Sequence, residues 1–482
     1  MAALAAPGDH TDQGEPGGRG GTGDGAAPED GRMRLLSGPY RTATLGIVLV
    51  VTLEAFESLA VGTVMPATAR DLDGFSLYAW GFSATLIAGL LSTVLAGGWV
   101  DRAGPVRPLV AGLGAFVAGL AVAGAAPSMG IFVLGRAVQG LGTGMTMVAI
   151  YVVIARAYPE ALRPRVFAAL SAAWVLPSLI GPALAGAVAE HLGWRWVFLG
   201  LVPLVIPAGI ILIPTLRGIT AVPRDPDAQA VSGARRYVAA VATAAGAVVL
   251  LYGLGDPGWT MVPVAAAGLA ALAFGLPRLL PAGTLRMRRG LPSVVLVRGL
   301  LSGAFFATEV FIPLALTSLH GFSATEAGLA LTTGALGWSA ASQYQGRSSR
   351  SRAFFVLLGA GFVTAGIVAT TLVLQLSGWG AAPAWVLGGT GMGFAVGSLS
   401  VLLLHHSPEA EQGVNSSALQ ISDTLGSSLV VGVAGALVAG FGPGRLGAGL
   451  AVAGGLFAAI ALLGVIAAFR LESRPGPEAR RG

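Results

Sequence analysis

Fourteen apolar stretches, each long enough to cross a bilayer, lie between residues 42 and 469, and no other feature restricts the fold of this chain as strongly. A hydrocarbon layer about 30 Å thick takes roughly 20 residues of apolar helix, because backbone groups deprived of water must bond to one another inside the segment. The spans are read as 42–69, 79–100, 107–126, 130–155, 165–189, 195–216, 237–255, 260–280, 291–318, 323–344, 352–375, 382–404, 415–440 and 447–469. The expected fold class is therefore all-α membrane. Of the 29 basic residues, 24 fall in segments on the side of the two chain ends, 3 (Arg70, Arg195, Arg445) on the opposite side and 2 (Arg136, Arg298) inside spans. Positive loops stay in the cytoplasm. Both termini are thus expected inside the cell, with the chain multi-pass in the inner (cytoplasmic) membrane.

Composition agrees with a lipid-embedded chain. Hydrophobic residues make up 54% and charged residues 11%, and 73 of 482 residues are glycine. That glycine content is about twice the usual share, and small residues let helices approach closely in lipid. The net charge of +6 reads as topology and attraction to anionic lipid, not as a nucleic-acid surface. The chain holds no cysteine and no lysine, which excludes disulfides, thiol nucleophiles, a Walker A phosphate loop and a Schiff-base lysine. No HExxH, no GxSxG and no metal-spaced carboxylate cluster occurs. Neither an enzyme nor a cofactor or metal requirement is expected.

The hydrophilic breaks divide the chain. Residues 1–40, rich in Gly, Pro, Asp and Glu, read as a disordered cytoplasmic tail, and 471–482 as a second one. Residues 217–236 read as a cytoplasmic linker that parts six spans from eight. The pentapeptide GFSAT recurs at Gly81–Thr85 and Gly321–Thr325, each time at the outer start of a span that follows a long, proline-containing one. That register makes the ninth span the counterpart of the first. The plan is then a six-helix bundle over 41–216, an inserted hairpin over 237–280 and a second six-helix bundle over 281–470. Parallel halves of this kind imply a central cavity and alternating access by rocking.

Three segments carry motifs. After the second span comes GGWVDRAGPVRPL (Gly97 to Leu109), the fourth span holds FVLGRAVQGLGTG, and the fifth holds PSLIGPALAG followed by GWRWVF. Together they resemble the signatures of the major facilitator superfamily, through Gly97, Asp101, Arg102 and Gly104; Arg136, Gln139, Gly140 and Gly142; and Gly181, Pro182 and Gly186. Within that family the chain is similar to the fourteen-span drug/proton antiporter branch, from about residue 40 to 470. Pro105 and Val106 stand where the first signature usually has a basic pair, and Pro177 and Ala185 where the third has glycines. The resemblance implies the major facilitator fold, two six-helix bundles plus two inserted central helices. It implies a gate at Gly97, Asp101, Arg102 and Gly104, and a hinge controlling leak at Gly181, Pro182 and Gly186. A helix cap, a topology arginine and ordinary helix packing remain open as structural readings, although a proline inside a helix does remove a backbone hydrogen bond.

Charges inside spans are costly in lipid and mark wet cavities or partners. Glu54 and Glu57 share one face of the first span, on the order of 18 and 22 Å from its cytoplasmic end. Arg136 enters the fourth span about 9 Å from the outer side, which puts it level with Glu57. A carboxyl group balanced between desolvation and an arginine can take a proton from one side and release it to the other. The resemblance implies that role for Glu57 or Glu54 with Arg136; a permanent ion pair that only joins helices is the alternative. In the second half, Glu309 corresponds roughly to these acids and stands about 16 Å from Arg298 by helical rise, too far for a direct pair. Ser416, Gln420, Asp423 and Ser427 recur at helical spacing and form a polar stripe expected to line the cavity with Gln139. Asp423 is a second proton or cation candidate, or a hydrogen-bonded packing residue. Phe56, Trp80, Phe305, Phe306, Phe311 and Trp338 could stack aromatic or cationic substrates, or pack.

These readings point to a secondary transporter, expected as a monomer, that exports amphipathic or cationic small molecules in exchange for protons. An importer, or an exporter of one metabolite, is the alternative within transport. A receptor or scaffold is opposed by the intramembrane acids.

Overall fold

The computed structural model describes residues 38–159, 162–216, 226–255, 258–408 and 411–471, and among them there is no strand. The first tail up to residue 37 and the end of the last lie outside the described residues. The helices are α1 (Gly38–Asp71), α2 (Trp80–Ala103), α3 (Val106–Gly124), α4 (Met129–Ala157), α5 (Arg163–His191), α6 (Arg195–Leu199), α7 (Val202–Thr215), α8 (Pro226–Gly255), α9 (Val262–Leu279), α10 (Leu291–Leu319), α11 (Ala324–Arg347), α12 (Arg352–Val373), α13 (Ala381–His405), α14 (Gln412–Phe441) and α15 (Leu446–Ala468). Thirteen segments are long and apolar enough to span a membrane. The remaining expected span is α11, 24 residues long but more polar. The chain is a multi-pass membrane protein.

Two boundaries differ from the sequence reading. The sixth span is broken into α6 and α7 at Gly200 and Leu201, where Pro203 opens the second piece in a position that needs no N–H. Residues 226–236, read above as linker, belong to α8. A proline at the first helical position and the alanine-rich run after it favour helix there.

The packing of the first half recurs in the second. In the first, α2 and α3 pack on α4 and α1 packs on α5; in the second, α11 and α12 pack on α13 and α10 packs on α14. Glycine sets these crossings. A Cβ on Gly140 of α4 would lie 2.1 Å from the Thr85 carbonyl oxygen of α2, and one on Gly389 of α13 would lie 1.8 Å from the Gly334 oxygen of α11. Such backbone contact replaces the missing hydrophobic drive between helices in lipid.

The face that holds the start of α1 is called the terminal face here and the other the distal face. The halves touch at the distal end through α2 against α14 and α5 against α11. Tyr78 Oη donates to the Val310 oxygen (2.9 Å), Ser83 Oγ to the Ser428 oxygen (3.0 Å) and the Thr325 N–H to Glu190 Oε1 (2.7 Å). The two GFSAT copies occupy these two seams in different ways. The second opens α11, with Ser323 as N-cap in a capping box with Glu326. The first lies inside α2, where Ser83 instead bonds across the seam.

Candidate functional site

The first charged centre joins three helices. Arg136 of α4 pairs with Glu57 of α1 and donates from Nε to the Gly81 carbonyl of α2 (2.9 Å) and from Nη1 to Gln139 Oε1 (2.9 Å). Gln139 Nε2 in turn donates to Glu57 Oε1 (3.2 Å). Glu57 is 4%, Arg136 3% and Gln139 0% exposed, so this is a closed knot. Gln139, expected to line the cavity, is instead sealed inside that knot. Thr85, whose hydroxyl donates to the Arg136 carbonyl, ties α2 to the same turn of α4.

Glu54 sits one turn toward the terminal face and is equally buried. Its carboxyl group faces the Thr146 hydroxyl of α4 and forms no ion pair among the described residues. Glu54 and Glu57 share a face of α1, but Arg136 pairs with Glu57; a buried charge without a partner is costly.

The second centre joins α10 and α14. Arg298 Nε donates to Asp423 Oδ1 (2.6 Å), and Ser302, one turn on from Arg298, donates to the same oxygen. The two charged side chains keep 15% and 14% of their exposure, so this pair is wetter than the first. Gly299 and Gly426 bring the two backbones together beside it. The sequence reading named Asp423 and Arg298 separately and missed their pairing; the signal was Arg298 and Ser302 at i, i+4, opposite the polar stripe of α14. That stripe divides along its length. Ser416 and Gln420 are exposed, Asp423 is half-buried, and Ser427 is buried with its hydroxyl on the Asp423 carbonyl (2.8 Å). Glu309 is half-buried and has no hydrogen bond or ion pair among the described residues. Phe305 does not offer its ring to a cavity in this conformation: it is 2% exposed and stacked on Trp385 at 4.6 Å.

In the segment expected as a gate, Gly104 ends α2 with φ +75, a backbone angle that favours glycine. Nothing lies within 4 Å of a Cβ built on Gly97, and Arg102 is exposed. The Asp101 side chain lies outside the described residues. On α5, a Cβ on Gly186 would meet the Ala324 oxygen and the Thr325 Cα and N, all at 2.6 Å, and one on Gly328 would meet the Pro182 oxygen at 2.4 Å. Gly181 has only an ordinary contact, 3.6 Å from Phe56. Pro182 and Gly186 therefore form a backbone-to-backbone joint between the halves, a role that spacing within one helix could not reveal. Trp194 and Arg195 of the GWRWVF segment donate to Asp71 at the end of α1 (3.0 and 3.3 Å), and Arg195 also donates to the Ala126 oxygen after α3 (3.1 Å), which joins three distal loops.

Residues 47–431 match the sequence profile of the Major Facilitator Superfamily. The chain belongs to that superfamily. It is 26% identical to a multidrug transporter protein of Bacillus subtilis over 82% of this chain and 74% of that one. It is 27% identical to a probable multidrug-efflux transporter of Mycobacterium tuberculosis over 93% and 98% of the two chains. Among solved structures, a POT family transporter in complex with 5-aminolevulinic acid superposes with a TM-score of 0.65 at 14% identity, covering 89% of this chain and 96% of that one. The human organic anion transporter MFSD10 gives 0.59 at 14% identity, with 90% and 100% covered. At such identities the structures attest the fold alone. The family is one of membrane transporters rather than enzymes, and the fourteen-helix plan of this member fits the drug/proton antiporter branch.

Proposed function

We propose that this superfamily member exports amphipathic or cationic small molecules from the cytoplasm in exchange for protons, as a monomer of the inner (cytoplasmic) membrane with both termini inside. The observation that carries the reading is the buried knot at Glu57, Arg136 and Gln139 with a second buried acid one turn away, Glu54, that has no ion pair among the described residues. Such a set has two protonation states: with Glu54 protonated, Arg136 neutralises Glu57 and the cluster carries no net charge; with Glu54 ionised it carries one negative charge, so the two states differ by one proton. A cation that reaches the cavity favours an ionised acid; a proton from the other side displaces it. The names of the relatives in Bacillus subtilis and Mycobacterium tuberculosis support drug-like cargo, and the 24 to 3 division of arginines supports the orientation. Rocking of the halves about the cavity supplies access from each side in turn, with Asp101 and Arg102 at the cytoplasmic gate and Asp423 with Arg298 as a second charged contact in the cavity wall.

The test is exchange in proteoliposomes. Uptake of a fluorescent lipophilic cation should follow an imposed pH gradient and stop with an uncoupler. Glu57→Gln and Glu54→Gln should lose the pH-driven component while still inserting normally. Uptake that ignores the gradient in the unaltered protein, or two variants that pump as it does, would refute the reading.

A further inference from the structure

The two seams between the halves are both closed at the distal end, and they differ below it. Residues 7 or 11 apart on a helix share a face. On α5, the face of Pro182 and Gly186 continues toward the terminal side through Val175; on α11, the face of Thr325 continues through Leu336. Val175 is 45% and Leu336 53% exposed. On the other seam, the face of Ser83 on α2 runs through Ile87 and Leu90, and that of Ser428 on α14 through Leu425 and Ile421. Those four are 4%, 4%, 4% and 8% exposed.

The inserted hairpin makes the difference. Ala240, Ala244, Ala247 and Leu251 of α8 belong to one apolar cluster with Ile87, Leu90, Ile421 and Leu425. Near the terminal face the Tyr237 hydroxyl lies 1.5 Å from where a Cβ on Gly98 of α2 would be, and near the distal face Leu251 fills the space over Gly432 of α14 (2.4 Å). Helix α8 thus crosses the α2/α14 seam obliquely, fastened to one half at each end. No helix of the described residues lies across the matching stretch of the α5/α11 seam, whose α5 flank carries the exposed Trp174 and Leu176.

We infer that the α5/α11 seam is a lateral portal through which amphipathic cations dissolved in the terminal-side leaflet reach the cavity, and that the hairpin seals the opposite seam. The ligand class follows from the walls. Val175, Leu176 and Leu336 suit an apolar body held at acyl-chain depth, while the aromatic face of the exposed Trp174 attracts a positive head. The pseudo-symmetry of the halves would otherwise open both sides to lipid, and the hairpin leaves one. This inference rests on the export reading for its cargo.

The chain lacks cysteine, so single cysteines can carry a nitroxide without further change. In proteoliposomes, Val175→Cys and Leu336→Cys labels should be relaxed by oxygen, which concentrates in lipid, more than by a water-soluble nickel chelate; a Val94→Cys label on the covered seam should be relaxed by neither. Tetraphenylphosphonium should lower the oxygen effect at 175 and 336. In parallel, initial export rates for a series of cations at equal aqueous concentration should rise with their partitioning into the bilayer. Labels at 175 and 336 relaxed only by the nickel chelate, a lipid-exposed label at 94, or rates indifferent to partitioning would each overturn the portal. Failure of proton coupling with the relaxation pattern intact would overturn the export reading instead.

Discussion

A single methyl group at position 186 should change which side of the protein is open. The added Cβ of Gly186→Ala meets three backbone atoms of α11 at 2.6 Å, the Ala324 oxygen and the Thr325 Cα and N. Backbone atoms cannot swing aside as a side-chain tip could. Overpacking of this kind costs about 1–3 kcal/mol. The clash exists only while the distal ends of α5 and α11 touch, so the cost falls on that state and the population of the distally open state should rise about 5–150-fold. Ser83→Cys, at the other distal seam, provides the assay: its labelling by an impermeant thiol reagent on the distal face should speed up in proportion. Gly140→Ala is the control, because its Cβ would lie 2.1 Å from the Thr85 oxygen between two helices of the same half that move together. That variant should lose about 1–3 kcal/mol of stability with labelling unchanged. If Gly186→Ala instead lowered the melting temperature like Gly140→Ala and left Ser83→Cys labelling untouched, the α5/α11 joint would be permanent and rocking about it would be refuted.

Three further outcomes follow from the charged centres and a cap. Arg136→Met strands Glu57 at 4% exposure and should cost about 3–5 kcal/mol in thermal unfolding; Arg136→Met with Glu57→Gln should recover most of it, and additive losses would show that the pair is not the cause. Asp423→Asn should cost less than Arg136→Met, because the arginine it strands keeps 15% exposure against 5% for the stranded Glu57 side chain and water can replace part of the lost charge; the opposite ranking in the same assay would contradict this. Ser323→Ala removes the N-cap of α11 and should cost about 0.5–2 kcal/mol, read as a lower melting temperature without loss of pH-driven exchange.

Residues that act along the chain were legible in its sequence, and residues that act across it were not. Glu54, Glu57 and Arg136 stand out because a charge in an apolar span needs a reason, and helical rise alone sets Glu57 level with Arg136. Gly186 and Pro182 stand out as a motif, yet their partners, Ala324, Thr325 and Gly328, lie more than a hundred residues away on a helix with ordinary spacing. The Arg298 to Asp423 pair escaped for the same reason, since rise along α10 can exclude Glu309 as a partner but cannot propose one on α14. Glu190 and Tyr78, which bond across the distal seams, carry no local signal.

Which segments span, and therefore which loops share a face of the membrane, could be read along the chain, because each is decided by hydration of a short segment and needs no knowledge of its neighbours. It took the folded arrangement of the helices to seal Glu57 with Gln139 and Arg136 while leaving Glu54 without an ion pair, and to lay the inserted hairpin over one seam and not the other. Those outcomes depend on which backbones can touch in three dimensions, and glycines far apart in the chain set that contact.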